Sequence, residues 1–235
     1  MELQGKTVVV TGGSDGIGKH ICLKLAEQGC NLAIIGRNEE RLSDVEKQCL
    51  EAGAQHARSF ACDIQDVAQL EHTANEVLTA FNGVDILINN AGIWHKTGPL
   101  DDIDATVLEA AVQTNLTALM QLTRFLIADL RKKPEAIILN VASKSGVVPQ
   151  AGQSVYTATK YGVRGFTEVL KADEQETGIR VAGLYQSGTN TQMFAKANEE
   201  VPNHIFTEPD DLADVVVFML SRPPKIWLHD VRVEL

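Results

Sequence analysis

Short apolar runs, TVVVTG, NLAIIG, ARSFACD, DILINNAG, AIILNVAS and IRVAGLY, recur along the chain. Stretches whose apolar residues return every three to four positions separate them, so strand alternates with helix. Hydrophobicity within the runs is near-continuous rather than alternating, which places both faces of each strand under cover. The fold class this predicts is α/β, a doubly wound parallel sheet flanked by helices on both faces. The two longest helical candidates, Ala105 to Lys133 and Ser154 to Thr177, contain no proline. VPNHIFTEPDD, residues 201–211, is the proline-bearing polar stretch long enough for a mobile loop, and it falls between the last two elements. With 235 residues, 44% of them hydrophobic, and no composition break or repeat, the chain reads as one domain, 1–235, around a large core.

A net charge of −10 disfavours nucleic acid and anionic membrane surfaces as partners, although a local basic pocket could still hold a small phosphate ligand. Cys22, Cys30, Cys49 and Cys62 show no C-x-x-C spacing and read as reduced packing cysteines of a cytoplasmic protein. MELQGKTVVV lacks a charged n-region and apolar h-region, and no segment has 18 consecutive apolar residues, so neither targeting nor a membrane span is expected. His20, His56, His72, His204 and His229 have no metal-ligand spacing, and no metal is expected.

In TVVVTGGSDGIGKHICLKLAEQG a strand ends at Thr11, and Gly12, Gly16 and Gly18 punctuate the turn into a helix. That spacing lets backbone N–H groups approach a pyrophosphate at the helix N-terminus, although a tight strand-to-helix turn needs glycine anyway. Thr11, Gly12, Ser14, Gly16, Ile17 and Gly18 are the candidate cofactor contacts, while Asp15 offers a phosphate nothing. An acidic residue about 20 positions on would accept from the ribose 2′-OH of NAD. Here IIGRNEE puts Gly36 in that place and Arg37 after it, and a guanidinium can bind a 2′-phosphate by two charge-assisted hydrogen bonds. NADP(H) is thereby favoured over NAD(H). Arg37 reads alternatively as a solvated residue ahead of a helix capped by Asn38, with Glu39 and Glu40 serving the helix dipole.

SVYTATKYG, residues 154–162, sets Tyr156 one helical turn before Lys160. A phenol ionises near pH ~10, and an ammonium on the same helix face would favour its ionised form; a chance pair is the plain alternative. Taken with Thr11 to Gly18, CDI at 62–64, NNAG at 89–92, Asn115 and Ser143, this pair resembles the short-chain dehydrogenase/reductase family in order and spacing over the whole chain. Ser143 stands thirteen residues before Tyr156, as that pattern wants. The resemblance implies a seven-stranded parallel Rossmann sheet, Asp63 and Ile64 beside the adenine, and Asn90, Ala91 and Gly92 beneath the cofactor. It further implies Thr191 at the nicotinamide carboxamide and a catalytic tetrad of Asn115, Ser143, Tyr156 and Lys160, with Asn115 holding a water that links Lys160 to solvent.

For Tyr156 to work near neutral pH its pKa must fall by roughly 3 units, about 4 kcal/mol of preference for the phenolate. Lys160 and the positive charge of an oxidised nicotinamide are expected to supply it. Ser143 would donate to the substrate oxygen as that oxygen gains charge. Taken singly, Asn115 could be an ordinary buried amide and Ser143 a strand-end cap.

Two departures from the family pattern stand out. Gln186 and Ser187 replace the usual Pro-Gly pair over the nicotinamide, which frees the loop's φ. The C-terminal SRPPKIWLHDVRVEL lacks the Gly-Gly ending of members that reduce acyl-carrier-linked ketones and is closer to members acting on small hydroxy acids and carbonyls. A short lid over about 187–209, with Met193 and Phe194 as apolar contacts, suits a small or medium substrate. Trp94, His95, Gln150 and Gln153 are further pocket candidates; packing for Trp94 and a surface loop position for His95 are the alternatives.

The leading reading is an NADP-dependent oxidoreductase interconverting a carbonyl and a secondary alcohol on a small molecule. The alternatives are a non-catalytic NADP(H)-binding sensor and an acyl-carrier-linked 3-ketoreductase; the acidic KADEQET segment speaks against the second. Members of the family pair their two long helices across two-fold axes, which implies a homodimer or homotetramer.

Overall fold

The computed structural model describes residues 1–201 and 205–234. His204 and residues 202–204 of the expected lid lie outside the described residues. Strands β1 (Thr7–Thr11), β2 (Asn31–Gly36), β3 (His56–Ala61), β4 (Ile86–Asn89), β5 (Ala136–Val141), β6 (Ile179–Gln186) and β7 (Asp230–Val233) form one sheet in the order β3-β2-β1-β4-β5-β6-β7. Every pairing is parallel. The direction of strand addition reverses between β1 and β4, and the crevice at that switch point, outside the carboxyl ends of the strands, is where such sheets hold ligands.

Helices α1 (Gly16–Glu27), α2 (Glu39–Ala52) and α8 (Pro209–Leu220) cover one face, where Ile21, Leu25, Val45 and Val216 pack on Val8, Val10 and Ile34. Helices α3 (Val67–Phe81), α5 (Ala118–Leu130) and α6 (Ser154–Asp173) cover the other, with Leu70, Leu122, Leu126 and Leu170 against Val9, Leu87 and Ile138. Strands β1, β4 and β5 are buried at every position, whereas β3 and β7 are alternately covered and exposed. The near-continuous pattern expected of ARSFACD therefore fails at the sheet edge. There one face and one row of backbone groups lack a neighbour. All four cysteines are free and buried.

The segment from Ala105 to Lys133 is not one regular helix. Helix α4 (Ala105–Val112) passes into a π turn, Gln113–Thr117, in which the Ala118 N–H donates to Gln113 O, and then into α5. The widened turn carries Asn115. Helix α6 stops at Asp173, short of Thr177, where the buried Glu174 accepts from Arg131 Nε at 3.1 Å and from Thr177 Oγ1 at 3.0 Å. A short helix α7 (Met193–Lys196) lies in the connection from β6 to α8.

A buried polar network, in which Asn89 Oδ1 alone is left without a partner, ties the sheet to its helices just below the carboxyl edge. Asn89 Nδ2 donates to Asn140 Oδ1 at 2.9 Å and Thr123 Oγ1 at 3.1 Å, and Asn140 Nδ2 donates to Thr167 Oγ1 at 2.8 Å. These four side chains are buried on β4, β5, α5 and α6, so losing one partner strands the others without water. Asn140→Ala is expected to lower stability by about 2–4 kcal/mol, read as a lower urea midpoint at unchanged slope. A loss below about 0.5 kcal/mol would show that the network is not holding the sheet edge in place.

Candidate active site

Three strand ends and one helix bring the site together. Strand β1 ends at Thr11, whose Oγ1 accepts from the backbone N–H groups of both Asn90 and Ala91 at 3.0 Å, while Asn90 Nδ2 donates to Thr11 O at 2.9 Å. The loops after β1 and β4 are thereby fixed to each other. Gly12 has φ 67°, and a Cβ on Gly18 would lie 2.2 Å from Gly12 O, so the glycine turn closes tightly on the start of α1. Asp15 caps α1 by accepting from Gly16 N at 2.7 Å.

Asn115 holds the other end of the NNAG loop. Its Oδ1 accepts from Ile93 N at 2.7 Å and its Nδ2 donates to Ile93 O at 3.0 Å and to Thr159 Oγ1 at 3.3 Å. The amide is thus engaged at both ends by protein, as a clamp on the loop. The π turn is the cause, because its wider helix lets the side chain reach back to Ile93.

Ser143 lies just beyond β5 and makes the strand-end cap that one of its two readings asked for. Its Oγ accepts from Ser145 N at 3.1 Å, capping the 3₁₀ turn Lys144–Gly146, and Ser143 lines the cleft together with Tyr156. A Cβ on Gly146 would meet Lys160 O at 2.8 Å; only glycine lets this turn approach α6 so closely.

Tyr156 and Lys160 are both buried on α6. Lys160 Nζ donates to Val141 O at 3.3 Å and lies 5.6 Å from the centroid of the Tyr156 ring. Burial raises the phenol's pKa to about 12, against a smaller lowering by Ser143. It lowers that of the Lys160 ammonium to about 8. Burial is the main cause for each, and both groups resist carrying charge in this low-dielectric place.

His95 is neither a pocket residue nor a surface residue. It is buried, with Nδ1 bonded to Lys96 O at 3.0 Å and Nε2 accepting from Tyr156 N at 3.1 Å. It satisfies one of the free N–H groups in the first turn of α6, a role no sequence spacing signals. Trp94 does face the pocket, edge-on to Tyr156 with centroids 4.5 Å apart, and 5.2 Å from Phe194. Gln153 accepts from Ser145 Oγ at 3.0 Å and donates to Gln150 Oε1 at 3.1 Å.

These parts surround a cleft of about 1040 Å³ that runs from Arg37 and Asp63 at one end to Trp94 and Phe206 at the other. Ser14, Gly16, Ile17, Ile64, Gly92 and Thr191 line its middle. Arg37 is exposed at the rim. Arg41 and Lys196 join it there: Arg41 Nη1 reaches Asp15 Oδ2 at 3.2 Å and Lys196 Nζ reaches the same oxygen at 2.8 Å. Asp15, unhelpful to a phosphate by itself, is neutralised by these two cations. Arg41 was legible only as a second arginine four positions after Arg37; Lys196 gave no signal.

An extended dinucleotide fits this lining. The tight glycine turn leaves backbone room at the α1 N-terminus, and Gln186 Oε1 and Ser187 Oγ are buried with no partner where β6 runs into the cleft. A carboxamide is the kind of group that such orphaned atoms satisfy.

The family model described as short chain dehydrogenase matches residues 6–202. The chain is 31% identical to a D-beta-hydroxybutyrate dehydrogenase of Cupriavidus necator, across 97% of each chain. It is 30% identical to a 3-oxoacyl-[acyl-carrier-protein] reductase of Vibrio cholerae, across 94% of this chain and 92% of that one. A metagenomic short-chain oxidoreductase solved in complex with NADP superposes with a TM-score of 0.86 at 30% identity, covering 100% of this chain and 98% of that one. No helix among the described residues is long and apolar enough to cross a membrane. Fold, family match and full-length relatives agree, and the chain belongs to the short-chain dehydrogenase/reductase family, oxidoreductases that interconvert alcohols and carbonyls with a nicotinamide cofactor.

Proposed function

We propose that the chain is an NADP(H)-dependent carbonyl reductase acting on a small molecule, with Tyr156 as proton donor, Ser143 as the donor to the substrate oxygen and Lys160 as the charge behind the phenol. The observation that carries this is the meeting of the Ser143 hydroxyl, the Tyr156 phenol and the Lys160 ammonium at one end of the cleft. When bound, the nicotinamide gives or takes the hydride at the substrate carbon. The neutral Tyr156 releases its proton to the substrate oxygen as that oxygen becomes an alkoxide, and Ser143 stabilises the same charge by a hydrogen bond. Lys160 is charged below about pH 8 and offsets the phenolate that results. Asn115 serves by holding Ile93 and so the floor of the cleft.

Tyr156 in its resting state is a phenol, ready to donate; the reverse reaction, which needs the phenolate, depends on a further positive charge. The family's oxidised cofactor is the source that fits. Arg37, with Arg41 beside it, supports a preference for the 2′-phosphate of NADP(H), and Gly36 leaves no carboxylate to accept from a free 2′-OH. We read the chain as a single domain whose lid runs from 187 to about 209, its two ends laced by the Thr189–Thr207 bridge and the 2.9 Å bond from Asn190 N to Thr207 O. Exposed Val107, Leu108 and Val112 on α4 and Val169 on α6 support a homo-oligomer paired through these helices.

Tyr156→Phe is expected to keep the fold and cofactor affinity but lower kcat by at least about 10²-fold, checked by circular dichroism, cofactor titration and NADPH oxidation. Near wild-type turnover would overturn the assignment. For Arg37→Ala, the ratio of NADPH to NADH affinity should drop by about tenfold or more; an unchanged ratio contradicts the cofactor reading.

Lys160→Met tests the protonation states through stability. The lysine pKa falls from 10.5 to about 8 on folding, so the unfolded chain binds this proton more tightly and burial of the ammonium costs stability at every pH below about 8. The cost fades between about 8 and 10.5 as the folded chain gives the proton up first. Removing the charge is therefore expected to stabilise the protein by on the order of 2 kcal/mol near pH 7, with a smaller gain near pH 10. A destabilised variant at neutral pH would show that the ammonium is better solvated than its burial implies.

A further inference from the structure

The far end of the cleft, beyond Tyr156, is apolar on its walls and acidic at its tip. Trp94 stands against Tyr156, Phe194 stands against Trp94, and Phe206 lies 5.5 Å from Phe194. Glu199, on the lid, accepts from Trp94 Nε1 and, at 3.4 Å, from Thr97 N. Both donors are neutral, and no cation pairs with this carboxylate among the described residues, so its charge remains to face whatever enters. The cations that line the cleft are committed elsewhere. Arg37 and Arg41 stand at the opposite rim, Lys196 is on Asp15, Lys144 pairs with Glu234 at 3.3 Å, and Lys160 points to Val141 O.

Resting on the carbonyl-reductase reading above, we propose that this end of the cleft selects a carbonyl compound with a flat apolar body and no carboxylate, and that Glu199 is the specificity-determining residue. Aromatic walls bury such a body and favour a cationic substituent through their π faces. A substrate carboxylate would lie beside Glu199 in a partly buried place, where like charges repel far more strongly than in water, and would find no cation there among the described residues. Hydroxybutyrate, the anion that names one relative, is on this account a poor substrate for this chain. The sequence could not show this, because Glu199 lies 105 positions from the tryptophan that holds it.

The test uses three ketones that share one aromatic body and differ in charge: 4-acetylbenzoate, its methyl ester and 4-acetylbenzylamine. With NADPH the ester and the amine should each exceed the carboxylate in kcat/KM by at least about tenfold. Calorimetric binding to the NADP⁺-loaded protein should rank them the same way. Glu199→Gln keeps an acceptor for Trp94 and should bring the carboxylate to within about threefold of the ester, while Glu199→Asp, which keeps the charge, should preserve the discrimination. The inference is overturned if the wild type accepts the carboxylate as well as the ester, if Glu199→Gln leaves the ratio unchanged with fold and cofactor affinity intact, or if the cofactor-loaded protein binds none of the three. Failure to bind either nicotinamide cofactor is a separate result, and it would remove the parent reading and this one together.

Discussion

Lys160 carries its ammonium into a place where Val141 O, at 3.3 Å, is its hydrogen-bond acceptor and the Tyr156 ring its nearest aromatic wall. A cation so placed is costly, as its lowered pKa of about 8 records, and the surrounding structure is arranged to keep it there. The approach of the Lys144–Gly146 turn, the clamp of Asn115 on Ile93 and the bond from Tyr156 N to His95 all fix α6 against the carboxyl edge of the sheet. Without that edge the helix would have no reason to bury two ionisable groups side by side.

The same edge explains the division of labour along the cleft. The strand order reverses between β1 and β4, so the connections that follow them, tied together at Thr11, lead on to helices on opposite faces and leave a crevice. The glycine turn and Arg37 occupy one end, the tyrosine and its lid the other. Asp15 links the two: it caps α1, takes Arg41 from α2 and takes Lys196 from α7. Charge that would repel a phosphate is thereby neutralised by residues from two other elements, and the lid is tied to the phosphate end of the cleft.

Much of this was legible in the chain. The buried runs gave the strands because a central parallel strand has no solvent face, and the reading failed at β3, where an edge strand does. Ser143, Tyr156 and Lys160 were read from the family resemblance, whose thirteen-residue separation they keep, and the Tyr156–Lys160 pair also from the helical spacing of four. The π turn at Gln113–Thr117 was hidden, because one widened turn barely disturbs the periodicity of a long apolar helix. His95, Lys196 and Glu199 were missed or misplaced for a common reason: their partners are 61, 181 and 105 positions away, and only the folded chain brings them together. Burial of the two ionisable groups was not legible, because it depends on every neighbour, while the sequence displayed one lysine four residues on.

The central claim is that this chain alone holds Tyr156 as a phenol and that the charge of an oxidised nicotinamide is needed to ionise it. An ultraviolet difference titration of phenolate, wild type minus Tyr156→Phe, recorded with and without NADP⁺, addresses it directly. Without NADP⁺ the Tyr156 signal should be absent through pH 10, the ordinary phenol value, since burial holds the group near 12; with NADP⁺ it should appear several pH units lower. A Tyr156 signal at or below pH 10 in the cofactor-free protein, or one that NADP⁺ leaves in place, would contradict the account.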